Sequence, residues 1–126
     1  MDKLVNEINR LELSMLHKTG GKVELAQPTY LSEVIAKIAI YLSQLSDEVT
    51  NSELAYKQSR AARFDSLLKD GEKPTSAERL IRFDKELIKK ESDADRIRNF
   101  IKRTENVITT IQTHIRVKTN EAAGNL

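Results

Sequence analysis

The chain has 126 residues, 39% apolar and 32% charged, with three Phe, three Tyr and no Trp. That composition excludes a large aromatic core. It suits a single domain of amphipathic helices that bury narrow stripes against each other or against copies of the chain. A net charge of +2 and the absence of cysteine exclude a strongly basic nucleic-acid coat, an acidic mimic, a disulfide framework and thiol chemistry.

Leu4, Ile8, Leu11 and Met15 recur at steps of four, three and four, which predicts a short helix over 2–17. Gly20-Gly21 ends it, because glycine takes the left-handed cap. Residues 18–28 read as a linker, and Gln27-Pro28-Thr29 opens the next helix with proline in its first turn. Over 29–69, Leu31, Ile35, Ile38, Leu42, Leu45, Val49 and Tyr56 alternate steps of four and three, with Ser52 at the missing place. Val34, Ile40 and Tyr41 widen this stripe in its first half. No Gly or Pro intervenes before Gly71, so one long helix is expected.

Residues 70–75 carry turn chemistry in Gly71 and Pro74. Thr75-Ser76-Ala77-Glu78 has capping-box spacing, and a second long helix is expected over 76–119. Its seam repeats every seven residues at Leu80, Leu87, Ala94, Ile101, Ile108 and Ile115. Phe83, Ile97, Thr104 and Ile111 fill the second heptad position, and Lys90 takes one seam place. The tail, 120–126, is expected to fray. The fold class is therefore all-α: a short N-terminal helix and two long helices in an antiparallel helical hairpin, coiled-coil-like and oligomeric. One hairpin leaves apolar surface wet, so self-association is expected through Val34, Ile38, Tyr41, Ile108, Ile111 and Ile115.

One phrase occurs on both sides of the turn. Arg60-Ala61-Ala62-Arg63-Phe64-Asp65 and Arg79-Leu80-Ile81-Arg82-Phe83-Asp84 both read Arg-x-x-Arg-Phe-Asp. Residues 57–90 hold 10 Lys/Arg against 6 Asp/Glu, whereas residues 1–56 hold 5 against 8. An antiparallel hairpin would gather Arg60, Arg63, Arg79 and Arg82 with Phe64 and Phe83. Guanidinium forks suit phosphates and aromatic faces suit bases. The competing reading makes the phenylalanines core and the arginines a solvated edge. A further stripe, Arg82, Lys89, Arg96 and Arg103, faces Asp84, Glu91 and Glu105 across the seam, a pattern that more often selects a partner helix.

Catalytic chemistry is not visible. His17 and His114 stand alone, without metal-ligand spacing. Gly20-Gly21-Lys22 lacks the rest of a phosphate-binding loop. No enzyme activity, metal or cofactor is expected. No apolar run approaches the ~18–20 residues of a membrane span, and Asp2-Lys3-Leu4-Val5-Asn6-Glu7 is no signal core. A cytoplasmic protein without membrane contact is expected.

Over 27–119 the chain resembles the UvsY-type recombination mediators of T-even-like phages. The residues are Thr29-Tyr30 opening a long helix, Ile40-Tyr41-Leu42 within it, and Ala62-Arg63-Phe64-Asp65 before a Gly turn. The family has a Lys-Ala-Arg-Leu-Asp-like phrase there. Arg63 matches its arginine, Phe64 its leucine and Asp65 its aspartate, while Ala61 stands in the lysine place with Arg60 one earlier. Residues 100–118 are similar to the family's C-terminal oligomerisation helix in length and apolar character. The resemblance implies a phage-encoded homo-oligomer in the host cytoplasm. It implies single-stranded DNA binding and help in loading a RecA-like recombinase onto DNA covered by single-strand-binding protein. The alternative is a coiled-coil adaptor or inhibitor that binds a protein and no nucleic acid.

Overall fold

The computed structural model describes residues 1–22 and 26–124. Part of the expected linker, 23–25, and the last two tail residues lie outside them. Four helices make up the described chain: α1 (Asp2–Thr19), α2 (Pro28–Lys69), α3 (Pro74–Arg82) and α4 (Lys85–Gly124). No strand occurs among the described residues, so the protein is all-α. No helix there is long and apolar enough to cross a membrane.

The helix ends follow local chemistry. Gly20 closes α1 at φ 62°, and the Gly21 N–H donates to the Leu16 carbonyl at 2.9 Å. Gly71 closes α2 in the same way at φ 95°, with the Glu72 N–H on the Leu67 carbonyl at 3.0 Å. A Cβ would be strained at either position. Pro28 begins α2 at the position where its missing N–H costs nothing, and the Leu31 N–H reaches the Gln27 carbonyl.

Two expectations near the turn need correction. The helix expected over 76–119 is two helices with a break at Phe83–Asp84. The last turn of α3 tightens: the Phe83 N–H bonds the Leu80 carbonyl and the Asp84 N–H bonds the Ile81 carbonyl. Asp84 then starts α4, its Oδ1 accepting the Leu87 N–H at 3.1 Å. The capping box is also absent. α3 starts at Pro74 after Lys73, without a side-chain cap, and Glu78 is engaged elsewhere. Residues 120–124, expected to fray, continue α4 as helix.

The chain divides into two compact units, residues 1–46 with 100–126 and residues 47–99. In the first unit α1 buries Ile8, Leu11 and Met15. The α2 segment buries Leu31, Val34, Ile35, Ile38, Leu42 and Leu45, and α4 buries Ile101, Thr104 and Ile111. Each of the aliphatic side chains among them contributes roughly 1.5–3 kcal/mol when fully buried. Val34, Ile38 and Ile111 are therefore buried within one chain. Tyr41, Ile108 and Ile115 remain half-buried. The difference arises because α1 adds a third apolar stripe to the unit.

In the second unit Leu67, Ala77, Ile81 and Leu87 form a buried cluster, with Tyr56 and Phe64 packed against it. Polar pairs link the α2 and α4 segments of this unit. Arg98 donates to Glu53 at 2.7 Å and to Thr50 at 3.0 Å; the Tyr56 hydroxyl donates to Glu91 at 3.0 Å; Lys90 donates to Ser59 at 3.4 Å. Partner numbers fall on α4 as they rise on α2, so the two segments run antiparallel.

Thr104 is 0% exposed, and its hydroxyl has no hydrogen-bond partner. An unpaired buried hydroxyl costs ~1–3 kcal/mol. Thr104→Val should therefore raise the denaturation midpoint, by about 1 kcal/mol in stability, in equilibrium unfolding followed by helicity.

Candidate nucleic-acid interface

The duplicated phrase lies wholly in the unit of residues 47–99. Its first copy sits on the last turns of α2. Its second copy runs off the end of α3 into the break. The two copies meet, through opposite charges. Arg60 Nη2 donates to Glu78 Oε2 at 3.0 Å, and Arg63 Nε stands 3.5 Å from Asp84 Oδ2. Both pairs are solvent-facing, with side-chain exposures of 44% and 44% for the first and 55% and 21% for the second. Exposed pairs of this kind hold by ~1 kcal/mol or less.

Arg79 and Arg82 are exposed and form no ion pair among the described residues. Arg82 borders two open hollows. One, of about 440 Å³, is edged by Lys57, Arg60, Arg82 and Glu91 over Ile81 and Leu87. The other, of 490 Å³, is edged by Pro74, Thr75, Glu78, Arg79 and Arg82. Arg60 and Arg82 thus reach one hollow and Arg79 and Arg82 the other. Arg63 lines neither and stays with Asp84.

The two phenylalanines part company. Phe64 is half-buried against the Leu67–Ala77–Ile81–Leu87 cluster, so the competing core reading holds for it. Phe83 is 74% exposed at the break. Leu80, near the end of α3, is 47% exposed, and Ile88, in the first turn of α4, is 48% exposed. Leu80 and Phe83 were expected in the seam; Ala77 and Ile81 take the inward place instead. Lys57 was not singled out from sequence, although it precedes Arg60 by one helical turn and shares its face. Among the described residues no cluster of three or more His, Cys, Asp or Glu side chains is placed to hold a metal ion.

The Glu53–Arg98 pair gives this unit a pH response. The hydrogen bond from Arg98, helped by its charge, holds the Glu53 carboxyl below its ordinary value. The folded state therefore favours ionised Glu53. Its contribution is complete above the ordinary carboxylate range and is lost as pH falls through the depressed value. Comparison with protein-family models, curated proteins and solved structures gives no match to this chain.

Two outcomes follow from this geometry. Phe64→Ala should destabilise by roughly half the ~3–5 kcal/mol of a fully buried aromatic, while Phe83→Ala should leave the melting curve within ~0.5 kcal/mol of the parent. Glu53→Gln should lower stability near neutral pH by no more than ~1 kcal/mol. That deficit should vanish in strong acid, read as converging thermal melts of the two proteins.

Proposed function

We propose that the protein is a non-catalytic, homo-oligomeric single-stranded DNA binder whose contact surface is the face bearing Arg79, Arg82 and Phe83. The observation that carries this is two exposed arginines without ion-pair partners beside a phenylalanine that is 74% exposed. Unpaired guanidinium groups bind phosphates without first giving up a carboxylate, and an exposed ring offers a base a stacking face. Arg60 and Lys57 edge the same hollow as Arg82 and extend the positive field along α2. The Arg60–Glu78 and Arg63–Asp84 pairs are exposed enough for phosphate to compete with their carboxylates. The antiparallel, coiled-coil-like pairing of α2 and α4 is the scaffold in this reading. The resemblance to UvsY-type mediators extends it to a phage recombination accessory. It would act beside a RecA-like recombinase and a single-strand-binding protein.

A second reading rests on Leu80 and Ile88. These exposed aliphatic side chains give a nucleic acid nothing to stack on, whereas a protein partner can bury them. An adaptor that binds protein alone would use the same face, with the arginines meeting carboxylates at its rim.

Retention on single-stranded oligonucleotides across a salt series separates the two. Arg79→Ala with Arg82→Ala should weaken binding and lower the salt slope by roughly one to two units, at about 0.7 per phosphate contact. Phe83→Ala should weaken binding with little change of slope, at ~1–3 kcal/mol per stacked base. A double arginine variant that binds like the parent at every salt concentration defeats the DNA reading.

A further inference from the structure

In the unit of residues 1–46 and 100–126, α1 and the C-terminal half of α4 enclose a groove of about 480 Å³. Its lining is mainly apolar: Met15 and Leu16 from α1, Val107 and Ile111 from α4. Leu16 is 44% exposed there. Opposite charges stand on the two walls, Glu12 on α1 and Arg103 on α4, with His114 nearby on the lining.

These charges are incompletely used. Glu12 is half-buried, and no hydrogen bond or ion pair joins it to another described residue. Burial pushes its carboxyl up, while the charge of Arg103 pulls it the other way. The two groups feel each other without bonding. The Arg103 guanidinium instead lies 5.2 Å from the Phe100 ring. A carboxylate kept from water without a donor is costly unless something supplies one.

One acid and one base on opposite walls of an apolar trough form a self-complementary pattern. A two-fold axis turns such a patch onto itself, so that each acid meets a base and each apolar strip meets its like. We propose that this groove is where a second copy of the chain docks. Glu12 of each copy pairs with Arg103 of the partner subunit, and Leu16 fills the trough. Other occupants fit less well. A small apolar ligand would dry Glu12 further without giving it a cation. A nucleic acid would meet the Glu12 carboxylate with its own negative charge. The inference rests only on the homo-oligomeric part of the proposed function and is independent of DNA.

Sedimentation velocity on the full chain at micromolar concentrations tests it, with helicity and melting recorded for every variant. The parent should associate. Leu16→Glu should be monomeric with parental helicity, since that side chain is already 44% exposed. Glu12→Arg and Arg103→Glu should each weaken association about tenfold or more, and combining the two should restore it. Glu12→Gln separates an interface role from a merely structural one. It should raise the melting temperature of the dissociated chain, by removing a poorly solvated charge, yet weaken association. If Leu16→Glu does not fold, the charge exchange and Glu12→Gln decide the matter alone. Single variants that associate like the parent overturn the groove while leaving self-association standing. A parent that stays monomeric overturns both.

Discussion

The unit of residues 47–99 depends on the side chain of Asp84. Its Oδ1 accepts the Leu87 N–H, its main-chain carbonyl accepts the Ile88 N–H, and its Oδ2 faces Arg63 on α2. One residue therefore begins α4, ends the run of α3 and ties the break to α2. Loss of an Asp cap costs ~0.5–2 kcal/mol, and here the ion pair would go with it. The wider consequence concerns direction. With the chain interrupted before Asp84, α3 turns Ala77 and Ile81 inward, and Leu80 and Phe83 stay in water. The exposure of Phe83, proposed above as a stacking face, follows from that rotation.

The two copies of Arg-x-x-Arg-Phe-Asp show how little a phrase fixes by itself. In the first copy the helix continues through Asp65, so Phe64 packs on Leu67 and its neighbours. In the second copy the aspartate becomes a cap and the phenylalanine is pushed out. The arginines divide in a matching way. Those of the first copy face carboxylates from the second region, Glu78 and Asp84, whereas Arg79 and Arg82 have no such partner among the described residues. A patch that looked like four equivalent guanidinium groups is two paired and two unpaired.

Much of the architecture was legible in the residues because periodicity is a direct record of burial. α1 and α2 begin and end within one or two residues of their expected bounds. On α4, Leu87, Ala94, Ile97, Ile101, Thr104 and Ile111 are buried at the heptad places. The break at Phe83–Asp84 was hidden for a physical reason. Leu80, Phe83 and Leu87 satisfy heptad spacing whether or not the helix is continuous, and an Asp inside a charged helix face looks like surface. The capping-box reading of Thr75 and Glu78 failed because Pro74 already occupies the first helical position, and Glu78 pairs with Arg60. The burial of Val34, Ile38 and Ile111 was hidden differently. Spacing shows which side chains need cover, but not that α1 adds a third stripe to the same unit.

The two units use the same kind of sequence for opposite ends. The first has the denser apolar stripe, and a groove whose acid and base do not bond each other is left open on it. The second has fewer buried side chains and is laced with exposed polar pairs between helices. Such pairs are weak in water because each ion already has good solvation. For the same reason they exchange readily: a phosphate meeting Arg60 or Arg63 replaces a carboxylate at little net cost, and Glu78 or Asp84 returns to water. Unpaired Arg79 and Arg82 would be engaged first in the proposed reading, since they have no partner to give up. An incoming strand would then recruit the paired arginines one at a time. Taking Arg63 would remove the tie from Asp84 to α2 without removing its cap on α4. In that reading, binding at this face and the hold of α2 on the break would be coupled through one weak ion pair.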